Sequence, residues 1–246
     1  MLRKAPIISS ILLIVLTSAS VTFGQGVRKS QKNQKLKNLE KYDRQRIHFG
    51  FLLGVNNANF IVKPDPNIKD LDTIYVVESK AESGFTLGIV SNLRMGRYFD
   101  LRFIPALSFS QRKLEYTLVT DNHQSITKVK TIESTFLEFP LQIKFKSMRL
   151  TNGRAYVVGG CRYSIDLASQ KDVEKEDEEI VKLKRSDFAY EIGFGIDIYL
   201  KYFKLSPVIM LSLGLNNMVI KEEGNIFSES IQGLYSKIFQ FGLTFE

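Results

Sequence analysis

Tryptophan is absent from this chain of 246 residues, cysteine occurs once, histidine twice, and no run of consecutive apolar residues is long enough for a membrane-spanning helix. Each shortage excludes something. A lone Cys161 excludes an internal disulfide framework and a redox pair, and reads as a small apolar side chain. With two histidines there is little material for a histidine-activated nucleophile. His48 opens an alternating stretch, while His123 sits in TDNHQS with Asp121 and Ser125, a constellation typical of solvated turns rather than of a triad converging on a pocket. Without long apolar runs, a chain that crosses a membrane must cross as strands. Without tryptophan, an interfacial girdle falls to tyrosine and phenylalanine, with Tyr98, Tyr163, Tyr199 and Tyr202 as candidates.

Charge is unevenly placed. Of 34 bases and 26 acids, Arg3 and Lys4 stand at the N-terminus, and residues 25–46 hold eight bases against Glu40 and Asp43, which leaves 24 of each sign in the remaining 200 residues. The overall pI near 9.4 therefore describes a short segment and does not point to nucleic acid. Residues 1–24 read as an export signal: two bases, an apolar run from Ile7 to Leu16, then small and polar residues up to Gly24. The lysine-rich stretch 25–46 reads as a flexible periplasmic tail, free either to act as a plain linker or to contact a partner or anionic lipid. A second charge run, Asp172 to Glu179 (DVEKEDEE), lacks the glycine and ligand spacing of a calcium loop and reads as a solvated external loop.

From Ile47 onward one pattern recurs. Large apolar residues alternate with small or polar ones, as in IHFGFLLGV from Ile47 and IFQFGLTFE from Ile238, which marks strands with one greasy face. Eight such strands are expected: Ile47–Val55, Gly84–Ile89, Phe99–Ser110, Leu137–Phe145, Ala155–Asp166, Phe188–Ile198, Phe203–Gly214 and a closing stretch at the C-terminus. The connections alternate as well. Longer ones (56–83, 116–130, 167–186, 216–234) interleave with shorter ones (94–97, 146–153, 200–202), as in outer-membrane barrels. The polar face carries many glycines, which suit a crowded, narrow lumen better than a solvated face, and the other face is dense in Phe, Leu and Ile, as lipid requires. The expectation is an all-β, eight-stranded antiparallel transmembrane β-barrel over residues 47–246, with the apolar face outward. Inward charges Asp100, Arg102, Arg112, Glu138, Lys144, Arg162, Asp166, Glu191 and Asp197 should pair as a plug rather than line a pore. Pro105, Pro140 and Pro207 fall inside strands, where bulges or rim positions are expected.

The segments IHFGFLLGVNNANF from Ile47, GFTLGIVSNLRMGRYFDLRFIPALSFSQRKLEY from Gly84, FLEFPLQIKFKS from Phe136, NGRAYVVGGCRYSIDLASQ from Asn152 and VKLKRSDFAYEIGFGIDIYL from Val181 resemble the PorT family of the Bacteroidota type IX secretion system. The resemblance runs from about Tyr42 to Glu246. It implies a non-enzymatic outer-membrane barrel needed for protein secretion and, in gliding relatives, for gliding motility. Its partners would be other type IX secretion subunits and outer-membrane lipids, with no nucleic acid and no small-molecule substrate. The resemblance brings no catalytic, cofactor-binding or metal-binding residues and no cofactor. It implies a periplasmic N-terminal tail and C-terminus and extracellular long loops. The penultimate position of Phe245, before Glu246, departs from the usual barrel ending. The alternative is a small adhesion or ligand-binding barrel that acts through its external loops.

Overall fold

Alternation of side chains along an extended chain leaves one consistent arrangement when one face is apolar throughout: the strands must join edge to edge until no edge remains. The computed structural model, which describes residues 37–64, 74–119, 125–167, 183–220 and 231–246, shows this closure. Nine strands follow one another: β1 (Ile47–Pro64), β2 (Ile74–Arg94), β3 (Phe99–Phe103), β4 (Ala106–Val119), β5 (Ser125–Lys146), β6 (Gly153–Asp166), β7 (Ser186–Tyr199), β8 (Lys204–Gly214) and β9 (Ile231–Phe245). Neighbours in sequence pair antiparallel, except that β3 and β4 lie end to end and both pair with β2 and β5, and β1 bonds to both β2 and β9, so the sheet is a closed ring.

The expected eight staves are present, with the third divided into β3 and β4. Phe103 opposes Leu141 and Ala106 opposes Glu138 on the β5 side, so the two halves keep one register and the break at Ile104–Pro105 is not a bulge. Two prolines account for it. Ile104 donates to the Pro140 carbonyl (3.2 Å) and Ile89 to the Pro105 carbonyl (2.9 Å), but neither proline has an N–H to return the bond. Pro207 interrupts the β7–β8 ladder in the same way, with Gly195 opposite Val208 before it and Ile198 opposite Leu205 after it in unchanged register. The expectation of bulges or rim positions at the three prolines is thus corrected: each sits inside a stave without shifting it. The register shifts lie elsewhere, at Lys63/Pro64 and within β2 at Ile74/Val76 and Ala81/Phe85.

Outward residues of the staves are apolar and exposed, among them Phe49, Phe51, Ile89, Ile143, Ile192 and Phe194. Inward residues are mostly small, polar or charged and buried, with a few large apolar ones such as Leu52, Tyr156 and Met210 among them, and the burial pattern of β7 alternates almost without exception. Gly195 shows why glycine stands on the inner face: a Cβ there would lie 2.4 Å from the Tyr156 ring, which fills the lumen opposite it. Strands also extend beyond the expected ends into parts of the predicted long connections, with β1 reaching Pro64, β2 starting at Ile74 and β5 at Ser125. There the outward face turns polar (Asn57, Glu78, Lys80, Gln111, Glu133), so the greasy alternation that marks a lipid-facing strand is lost while the ladder continues.

Candidate functional site

The lumen and its turn-side mouth hold the polar chemistry of this molecule. Seven cations (Arg102, Arg112, Lys144, Lys146, Arg154, Arg162, Lys204) and seven carboxylates (Asp100, Glu138, Asp166, Asp187, Glu191, Asp197, Glu246) bury their side chains inside the ring among the described residues. The signs cancel. All nine inward charges expected from the alternation are buried, and the structure adds Lys146, Arg154, Asp187, Lys204 and Glu246 to them.

Nearest the short turns, Lys146 pairs with Asp100, and Glu246 is gripped by Arg102 (2.8 Å) and Lys204 (2.8 Å). Asp197 then receives Lys144 Nζ (2.7 Å), Arg154 Nε (2.8 Å) and Ser206 Oγ (2.7 Å). Lys144 also lies 3.6 Å over the Tyr156 ring. Two apolar groups occupy the middle, Leu52 with Val90 and Ile104, and Tyr156 with Val158, Val208 and Met210. Beyond them, Arg162 reaches Glu138 (3.3 Å) and Glu191 (3.6 Å), and Glu191 also accepts from Gln142 (2.7 Å) and Ser212 (2.8 Å). Arg112 lies against the Phe60 and Phe136 rings and donates to Ser236. Toward the long connections, Phe60, Val77, Leu114, Val219, Ile231 and Leu234 close the interior with an apolar cluster. Among the described residues, a cavity of about 20 Å³, the size of one water molecule, lies beside Arg102, Glu138, Gln142 and Glu191.

The mouth at the short turns is corked by the chain itself. Residues 41–45 form a 3-10 turn around Tyr42–Arg44. Tyr42 stacks on His48 (3.9 Å between ring centres), accepts a bond from Lys204 Nζ (2.8 Å) and donates its hydroxyl to Glu246 Oε2 (2.7 Å). Burial, with the Glu246 carboxylate beside it, raises the Tyr42 phenol, so it stays protonated and can donate. Asp43 bonds Arg149 (3.0 Å), Arg154 (3.4 Å) and the Tyr199 hydroxyl (3.3 Å). Burial pushes the Asp43 carboxyl up, but the two guanidinium groups outweigh it and hold the carboxyl below the ordinary carboxylate range. Asn38 completes the seat, donating to Asn152 Oδ1 (2.9 Å) and the Tyr199 carbonyl (3.0 Å), while Arg149 bonds the Asn38 carbonyl. Residues 37–46, which composition places in a flexible tail, therefore fold with the barrel; residues 25–36 lie outside the described residues. Within 25–46, Tyr42 is the only aromatic and Asp43 one of two acids, a weak signal that such a segment has something to bind.

The remaining candidates separate. Tyr98, Tyr163 and Tyr202 are exposed on the wall or rim as a girdle requires, but Tyr199 is not a girdle residue: it is buried under Arg149 (3.6 Å from the ring centre) and edge-on to Tyr42. Cys161 is half-buried, opposite the outward Leu141 and Tyr190. His48 is buried under Tyr42, with Nε2 2.8 Å from the Tyr42 carbonyl. Asp121, His123 and the run Asp172–Glu179 lie outside the described residues, and nothing is said of the Ser125 side chain. Among the described residues no group of three or more His, Cys, Asp or Glu side chains could hold a metal ion.

A closed antiparallel ring, greasy outside and charged inside, is a transmembrane β-barrel, because that distribution would be inverted in water. The chain matches the outer membrane protein beta-barrel domain over residues 29–219 and belongs to that family. It is an outer-membrane protein. No curated protein matches it. Among solved structures it is similar to Neisserial surface protein A (TM-score 0.42, 9% identity, 81% of this chain and 98% of that one). It is also similar to OprG from Pseudomonas aeruginosa (0.37, 11%, 80% and 93%) and to Ail, the attachment invasion locus protein of Yersinia pestis (0.33, 10%, 82% and 98%). Likenesses of this size carry no function from one barrel to another.

Proposed function

We propose that this barrel is a non-enzymatic component of type IX protein secretion in the outer membrane, acting as a sealed docking body for other subunits rather than as a conduit. The observation that carries the sealed part is the packed lumen among the described residues: balanced buried charges, apolar layers and the cork, with a cavity of about 20 Å³, the size of one water molecule, beside Arg102. A body without a passage works through its outer wall, its rims and its loops. The secretion role itself rests on the resemblance of the strand segments to the PorT family. In this reading the cork and the C-terminus face the periplasm and the long connections face outward, and the same role extends to motility in a gliding cell.

The test is the distribution of a type IX cargo between periplasm and medium in a clean deletion strain, complemented with the intact gene. Trapped cargo with an otherwise intact outer membrane supports the reading; normal release ends it. A second reading has an observation of its own. β2, β4 and β5 continue past the apolar wall with polar outward faces and stay paired there (Glu78 opposite Glu115, Lys113 opposite Thr131), which builds a protruding platform suited to an adhesion or ligand-binding barrel. In that case secretion survives the deletion and attachment or ligand capture is lost.

A further inference from the structure

The turn-side rim differs from the rest of the surface in charge. Lys37, Lys41, Arg44, Arg46, Arg97 and Lys201 are all exposed there, and none pairs with a carboxylate among the described residues. Against them stands one exposed acid, Glu40, since Asp43 is taken by Arg149 and Arg154. The cork and turns that carry these cations share one end of the barrel, joined by bonds from Arg94 to the Arg46 carbonyl (2.7 Å), Lys146 to Tyr98 (2.7 Å) and Tyr199 to Asn152 (2.8 Å). The described part of the opposite end is mixed, with Lys80 paired to Glu115 and Lys113 to Glu82.

The same turns expose large apolar side chains between the cations: Met95, Met148, Leu150 at 79% and Tyr202 at 89%. A rim bathed only in water has no use for them. They continue the exposed apolar wall, for Phe99, Phe145 and Phe203 stand immediately beyond them on the staves. Cations set among apolar side chains at the edge of a lipid-facing band match a headgroup layer: the apolar groups enter the acyl boundary and the cations meet phosphate. An acidic protein would satisfy the cations but not the continuity with the lipid wall.

We propose that this collar binds anionic glycerophospholipid headgroups of the leaflet that the turn end faces, fixing the depth of the barrel and holding a small set of lipids around the cork. The proposal rests on the transmembrane barrel alone and is independent of the secretion reading.

The test uses the full mature protein, extracted into detergent, mixed with phosphatidylethanolamine, phosphatidylglycerol or an equal mixture of the two, and examined by native mass spectrometry for retained lipid. Two triple variants are compared with the parent: Arg46→Gln with Arg97→Gln and Lys201→Gln on the collar, and Lys184→Gln with Arg185→Gln and Lys237→Gln at the other end, which removes the same charge. A headgroup contact is worth about fivefold per basic side chain near an anionic surface. The expected result is preferential retention of phosphatidylglycerol that falls at least about tenfold in the collar variant and is kept in the other. Equal retention of both lipids by the parent overturns the proposal. So does an equal fall in both variants, which would make the preference a matter of net charge. Absence of lipid preference together with tight binding of a polyglutamate peptide overturns it in favour of an acidic protein partner. Resistance of each variant to unfolding in dodecyl sulfate verifies the fold, and Tyr202→Ser, which leaves charge untouched, should weaken retention of both lipids.

Discussion

Glu246 is the residue on which the turn end converges. Its carboxylate, wholly buried, is shared by Arg102 of β3, Lys204 of β8 and the Tyr42 hydroxyl of the cork. Breaking a buried pair by removing one partner costs about 3–5 kcal/mol, because the cations left behind have no water to replace it. Glu246→Gln keeps the shape and loses the charge, so it should lower the unfolding free energy of the refolded barrel, read from a urea titration, by an amount toward the lower end of that range. An unchanged unfolding free energy would mean that Arg102 and Lys204 find other partners. Asp43 gives a pH dependence with a defined sign. Its folded carboxyl sits below its unfolded value, so its contribution to holding the cork is present above the ordinary carboxylate range and disappears as pH falls through the lowered folded value. Exchange protection of the Arg44 and Gln45 amides, corrected for intrinsic rate, should stay level from neutral pH to the top of the ordinary carboxylate range, then fall progressively through that range and on until the lowered folded value is passed. In Asp43→Asn the protection should be lower throughout and flat over that span. Neither role was legible in the sequence: Glu246 looked like an irregular ending after Phe245, and Asp43 one acid in a basic stretch. Contacts that join residues more than a hundred positions apart leave no local pattern.

At the scale of the element, alternation was legible wherever lipid demands it. All eight staves lie where the greasy face places them, and β7 runs one or two residues beyond its expected bounds at either end. The misses have one cause. Where β1, β2 and β5 leave the apolar wall, a strand can carry polar residues on its outer face and still pair, so the pattern that identifies a strand stops before the strand does. Tyr199 was misplaced for a related reason: tyrosine suits a membrane interface, but its position on β7 puts it on the inward set with Asp197. A substitution on the outer face tests the assignment directly. Ile192→Arg, on an exposed position well inside β7, should cost about 2–4 kcal/mol in a lipid bilayer if it lies near the midplane. A neutral result in liposome refolding would place that face outside the hydrocarbon.

For the whole molecule the consequence of a filled lumen is electrical silence. Purified barrel in planar bilayers should give no reproducible single-channel current, and neither should a variant lacking residues 37–46. Deleting the cork removes Tyr42 and Asp43, but the pairs of Lys144 and Arg154 with Asp197, and of Arg162 with Glu138 and Glu191, still block the path. Steady conductance from the shortened protein alone would show that the cork is the only seal and that the inner layers yield to water.

The sequence by itself determined that this is a transmembrane barrel, how many staves it has and which face of each meets lipid. These follow from the two-residue period of a strand and from the need to satisfy every backbone polar group in hydrocarbon, both local constraints written into neighbouring residues. It also identified nine of the charges that fill the interior. Only the tertiary structure decided which charges pair, that the segment before β1 seals the mouth, that Pro105 and Pro140 stand on adjacent staves where the third divides, and that six exposed cations gather on the turn-side rim against one exposed acid. Those depend on closure of the ring, which brings residue 42 to residue 246 and residue 102 to residue 246, and sequence distance says nothing about which staves will face one another across the lumen.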